Sequence, residues 1–133
     1  MYKNIIVTTP KSETENSRLE AEKCIENGGG YYFRTIAKQP KDIEPFKSFI
    51  YYVEDGYVRG RAIIMGVTGG IEDCSVTNRE WGDNKSKNIW MQANTWEWIN
   101  PIPMKGFQGW RYFDDKDVKV VGGWKDEKPL TNN

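Results

Sequence analysis

The stretch "PMKGFQGWRYF", from Pro103 to Phe113, gathers Lys105, Gln108 and Arg111 among Phe107, Trp110, Tyr112 and Phe113. Lys105 and Arg111 could hold a phosphate, the arginine as a planar fork and the lysine as a point charge. Gln108 could pair with the edge of a base, and Trp110 could stack on its face. Gly106 and Gly109 let the backbone approach a ligand closely or adopt positive φ. Flat apolar surfaces beside hydrogen-bond donors suit a nucleobase-like ligand. A structural turn whose aromatics complete the core would account for Tyr112 and Phe113 as well.

A second group lies in "NIWMQANTWEWI". On a regular strand, alternate residues face opposite sides, so Trp90, Trp96 and Trp98 share one face with Gln92 and Asn94. Ile89, Met91, Ala93 and Ile99 then form the interior face. The tryptophans could make a stacking wall, each base contact contributing roughly 1–3 kcal/mol. A bulge at Asn94 would break this parity.

"GGGYYFR" adds Arg34, which projects on the same side as Tyr32. The glycine run itself is no phosphate loop, because a helix C-terminus disfavours anions. Arg59 and Arg61 in "RGR" read as a solvated strand face. Glu97 between Trp96 and Trp98, with Asp114 and Asp115, are the acids in aromatic surroundings. Desolvation there could fit Glu97 for acid–base work.

Composition removes other chemistries. The chain has no histidine, which excludes Ser-His and Cys-His catalysis and every His-dependent metal site. A formal net charge of zero argues against gripping duplex DNA by bulk charge. Cys24 and Cys74 make no disulfide framework, and a reduced, cytoplasmic setting is the simpler reading. No apolar run reaches the length of a membrane span, and the start lacks a signal-peptide pattern. Neither a membrane partner, a metal nor an organic cofactor is expected.

The elements that must position these groups can be read next. At 133 residues one domain, residues 1–133, is expected. Six Trp, seven Tyr and five Phe against Leu19 and Leu130 alone favour sheets over helix bundles. "KNIIVTT" reads as a first strand ended by Pro10. A helix follows, capped by Thr9, Ser12 or Thr14 and closed by Asn27 and Gly28. Its thin apolar stripe puts it on a surface. "YYFRTI" is a strand, and Asp55-Gly56 between two β-rich runs predicts a hairpin with a primed turn. Gly60 and Gly66 suggest bends or bulges. Residues 68–87 read as a long loop outside the barrel unless Trp81 anchors it. Asn88 to Ile99 and "GWRYFD" are further strands, separated by Pro101 and Pro103, which interrupt ladder pairing. The tail from about residue 125 should fray.

This order of elements, with "DGYVRGRAIIMGV" and the late "W-x-W…P-I-P-x-K-G-F-Q-G-W-R-Y", resembles the PUA-like superfamily, nearest to its ASCH and EVE branches. The resemblance runs from about Lys3 to Phe113. It implies an α+β fold: a small, partly closed, mixed β-barrel of five or six strands with one main helix beside it. The ASCH signature G-x-K-x-x-E-x-R is absent, and the lysine, threonine and glutamate of ASCH amidohydrolases cannot be mapped here.

The reading is therefore non-catalytic recognition of RNA or a modified nucleotide in a cleft between helix and barrel. Trp96, Trp98 and Trp110 would stack; Arg34, Lys105, Gln108 and Arg111 would contact phosphate or base edges, with Arg111 and Trp96 on one cleft. The alternatives are an ASCH-like hydrolase on a modified nucleoside, using Glu97 and a lysine, and a protein-interaction adaptor using the aromatic surface.

Overall fold

The computed structural model describes residues 2–9, 16–69, 72–74, 79–81 and 87–129. Along them run β1 (Asn4–Thr8), α1 (Ser17–Glu26), β2 (Tyr31–Ile36), β3 (Phe49–Glu54), β4 (Tyr57–Gly69), β5 (Glu72–Cys74), β6 (Arg79–Trp81), β7 (Lys87–Pro103), β8 (Trp110–Phe113) and β9 (Val120–Gly123). Seven strands form one mixed sheet in the order β2-β7-β4-β3-β1-β8, with β9 also on β7, while β5 and β6 pair with each other. β1 and β3 run parallel. β7 is the spine: β4 lines one side, and the other side carries first β2 and then β9.

The chain is α+β, as expected, but its sheet is not closed into a barrel. Among the described residues β2 and β8 are edges that do not pair. The sheet curls instead, and side chains bridge the curl. Tyr32 and Tyr52 hydroxyls meet at 3.0 Å, Arg34 Nη2 donates to the Thr8 carbonyl at 3.1 Å, and Trp110 Nε1 donates to the Lys38 carbonyl at 2.9 Å.

Local chemistry explains the elements. Asp55 and Gly56 have φ of 55° and 81°, the paired left-handed conformation that a primed hairpin turn needs. Helix α1 starts later than expected, because Asn16 is its cap and its side chain accepts from Leu19 N. Thr9 remains extended beside β3, donating its N–H to the Val53 carbonyl; Ser12 and Thr14 lie outside the described residues. At the other end Gly28, at φ 81°, lets the chain turn away. β7 continues through Pro101 to Pro103, a correction to the expected break. The ladder to β4 is irregular between Val58 and Gly60, so Pro101 sits where no donor is required. Of the expected 68–87 loop, β4 takes residues as far as Gly69, β5 and β6 take six more, and Lys87 opens β7; the rest, with the side chain of Trp81, lies outside the described residues. The expected frayed tail is tied down as far as Asp126, whose carbonyl accepts from Trp98 Nε1 at 3.0 Å and whose Oδ2 accepts from Gly123 N at 2.7 Å.

Both sheet faces carry a core. On the concave face, under α1, Ile5, Val7, Ile50, Tyr52, Ile64, Met91, Trp96 and Trp98 pack together with Ala21. On the convex face Ile6, Tyr51, Val53, Val58 and Ile99 are covered by Met104, Phe107 and Phe113. The opening stretch thus contributes a plug for the second core. Along β7 the residues turned into the concave core are Ile89, Met91 and Ala93, then Trp96 and Trp98, so the parity reverses at Asn94–Thr95. The Thr95 hydroxyl bridges this bulge, accepting from Ile63 N at 2.9 Å and donating to the Gln92 carbonyl at 2.6 Å. It replaces backbone partners that the extra residues remove.

Candidate functional site

The bulge decides the fate of the expected stacking wall. It turns Trp96 and Trp98 into the core, at 0% and 3% exposure, so neither offers a face to an outside base. Their rings meet edge to face at 4.7 Å. Trp96 Nε1 donates to Ser17 Oγ at 3.1 Å, and Ser17 in turn donates from N and Oγ to the Glu54 carboxylate at 2.9 and 3.3 Å.

The four residues picked from "PMKGFQGWRYF" also separate. β8 pairs with β1 so that Trp110 faces Val7 and Arg111 faces Ile6, residues of opposite cores. Arg111 and Trp96 therefore lie on opposite faces, contrary to the expected shared cleft. The Arg111 guanidinium rests 4.2 Å over the Phe107 ring, exposed on the convex side. Lys105 and Gln108 are exposed on the loop before β8. Trp110 packs against the concave core and reaches Lys38.

What the fold brings together on the concave face is a different set, which includes Arg34. β2 turns Tyr32 and Arg34 inward, β3 turns Tyr52 and Glu54 toward them, and β8 adds Trp110 at the same end. Thr8 ties this end together: its carbonyl accepts from Arg34, and its Oγ1 accepts from Phe107 N at 3.0 Å. The loop carrying Lys105 and Gln108 thereby borders the end of β1 that Arg34 reaches. Arg34 is half-buried and, among the described residues, makes one hydrogen bond, to the neutral Thr8 carbonyl. Among the described residues no carboxylate pairs with it, whereas the half-buried Arg61 is paired with Glu97 at 3.3 Å. Of the two acids whose charges reach the tyrosines here, Glu54 is held by Ser17 and Glu20 lies on α1. A guanidinium withdrawn from water, with donors unused among the described residues, is suited to an anion.

The tyrosines of this cluster are donors and not bases. Burial pushes the Tyr32 hydroxyl well above its ordinary range, helped by Tyr52 and by Glu20 and Glu54. Burial likewise raises Tyr52, against the opposing pull of the Tyr32 hydrogen bond and the Arg34 charge. Tyr51, on the other face, is raised by burial too. A phenol ionises near pH 10 in the unfolded chain and higher in the fold. The folded state therefore holds its full advantage below about pH 10 and loses it as pH rises above that value. The melting temperature should fall steeply above about pH 10, and less steeply in a Tyr32→Phe/Tyr52→Phe variant; equal slopes would show that these phenols carry none of the effect.

The expected solvated face at Arg59 and Arg61 is a correction as well. Arg59 is buried, its Nε donating to the Glu54 carbonyl at 3.0 Å. Arg61 lies over Phe49 at 3.8 Å and donates to the Tyr51 hydroxyl at 2.9 Å, which donates to Asp115 Oδ2 at 2.8 Å. Glu97, held by Arg61, faces away from the concave cluster.

Outward from β2 stands a group that the sequence reading did not select. Tyr31 and Phe33 are 56% and 47% exposed, and their rings meet Trp90 at 5.5 and 4.9 Å. Trp90 was placed on the face with Gln92, and up to the bulge that parity holds. The signal for the other two was available in "YYFR": aromatics on both parities cannot all be interior.

Compared with known proteins, the chain matches no family model, no curated protein and no solved structure.

Proposed function

We propose that the chain recognises a nucleotide, free or within RNA, at the Arg34 end of the concave face of the curled sheet, beside α1, in an open variant of the PUA-like barrel. The observation that carries this reading is Arg34: half-buried, without a carboxylate partner among the described residues, and beside a pair of buried tyrosine hydroxyls. Its donors, unused among the described residues beyond the Thr8 bond, suit a phosphate. The partly exposed Tyr32 remains a protonated donor for a base or ribose edge, with the buried Tyr52 hydroxyl behind it. Trp110, at the same end, offers an aromatic flank in place of the buried Trp96 and Trp98. Lys105 and Gln108 border this end on their exposed loop.

Binding fits these groups better than hydrolysis. Glu97 is paired with Arg61 on the opposite face, Glu54 is held by Ser17, and the tyrosines near Arg34 are poor bases at neutral pH. The PUA-like reading is supported by the element order and by the curl that brings β2 against β3 and β1.

The test is a thermal-shift panel of nucleoside 5′-monophosphates and the matching nucleosides, with methylated and acetylated bases included. At least one monophosphate should raise the melting temperature more than its nucleoside, and the difference should shrink with salt. A panel with no shift, or nucleosides as effective as their monophosphates, would exclude an arginine-anchored nucleotide site.

A further inference from the structure

We infer that the groove between α1 and β2 is a second nucleotide-contact surface, and that the natural ligand is a single-stranded polynucleotide whose neighbouring bases stack on Tyr31, Phe33 and Trp90. This deepens the proposal above and rests on it for the first contact.

Three observations carry it. The aromatic trio is prearranged: Phe33 stands directly opposite Trp90 in the β2–β7 register, and Trp90 Nε1 is fixed by Thr68 Oγ1 at 2.8 Å. A Cβ at Gly66, paired with Trp90, would meet nothing within 4 Å, so the surface beside the indole is open. Next, a groove of about 470 Å³ runs between these rings and the helix, with Glu20, Lys23, Cys24 and Asn27 on its helical wall. Flat exposed rings along an open groove match the faces of unpaired bases; the helical wall carries both charges, Glu20 and Lys23, and the Asn27 amide is held by the Lys23 carbonyl.

The decisive observation is continuity. Tyr32 lines this groove and also donates to or accepts from Tyr52 in the concave cluster. β2 is a sheet edge, so a strand of nucleic acid could cross it with no ladder in the way. One nucleotide would lie by Arg34 on the inner face, and the next would meet Phe33 and Tyr31 on the outer one. A free mononucleotide would use only the inner half.

The experiment compares fluorescein-labelled single-stranded RNA and DNA of about ten nucleotides, a length within the usual span of such sites, against the best mononucleotide. Anisotropy is measured for wild type, Phe33→Thr and Tyr31→Thr, exposed positions where threonine suits a strand. Each variant should weaken oligonucleotide binding about tenfold and leave mononucleotide binding unchanged. Stronger binding of RNA or of DNA identifies the polymer. If oligonucleotides bind no better than the mononucleotide, or if both variants bind them as wild type does, the inference is overturned. Variants that alter only sedimentation would make the patch a contact between copies of this chain, which also overturns it. Should the mononucleotide fail to bind while oligonucleotide affinity still depends on Phe33 and Tyr31, the concave-site reading falls and the outer surface stands.

Discussion

Trp96→Ala should destabilise the domain by about 3–5 kcal/mol, the range for truncating a buried aromatic. Small domains hold about 5–15 kcal/mol in all, so the variant should keep little margin. Its melting temperature should drop by roughly 10–20 °C. Trp96 is fully buried in the concave core and stands edge to face with Trp98. It also anchors the start of α1, since its indole N–H donates to Ser17, the residue that holds Glu54. Removing the ring leaves a cavity and strips Ser17 Oγ of a donor. Trp96→Phe should retain much of the packing and lose less. Chemical denaturation of both variants checks this; a loss under about 1 kcal/mol for Trp96→Ala would mean that the ring is not a core residue.

Gly60→Ala should be almost as severe, though it adds only a methyl group. A Cβ at Gly60 would fall within the Trp96 indole, and overfilled cores lose roughly 1–3 kcal/mol or more. Here the obstacle is a rigid ring packed against Trp98, so the upper part of that range is expected. The cause can be isolated. In a Trp96→Leu background the same Gly60→Ala change should cost less than about 1 kcal/mol, giving a large coupling in the double-mutant cycle. Additive effects would instead assign the loss to the backbone of β4.

These two residues also mark how far the sequence could be read. The glycine in "YVRGRA" suggests a bend, but only the packed structure shows that it makes room for the tryptophan directly after the bulge in β7. Strict alternation through "NIWMQANTWEWI" places Trp96 outside. The reversal depends on Thr95 replacing backbone hydrogen bonds, and a threonine in a strand carries no mark of that role. The hairpin at Asp55-Gly56 and the bounds of β2 were legible because turn chemistry and β-branched or aromatic runs act locally. The helix start was missed because several residues before Ser17 could cap it, and Asn16 does. β9 was hidden because "VVGGW" is short and weakly patterned, and its pairing with β7 is wholly tertiary.

The candidate site divides along the same line. Arg34 and Tyr32 could be assigned to one side of β2 from a short unbroken strand. Their meeting with Tyr52 and Thr8 depends on the curl of the whole sheet. The grouping in "PMKGFQGWRYF" failed because adjacent residues of β8 face different cores, so closeness in sequence separates Trp110 from Arg111.

The most direct measurement is titration calorimetry of the nucleotide selected by the thermal-shift panel, run on wild type, Arg34→Ala and Arg111→Ala. Circular dichroism should confirm that each variant is folded. A hydrogen bond to a charged group contributes about 1.5–3 kcal/mol, so Arg34→Ala should weaken binding roughly ten- to hundredfold. Arg111→Ala, on the convex face, should leave it unchanged. Unaltered affinity in a folded Arg34→Ala protein, or a loss confined to Arg111→Ala, would contradict a ligand site on the concave face.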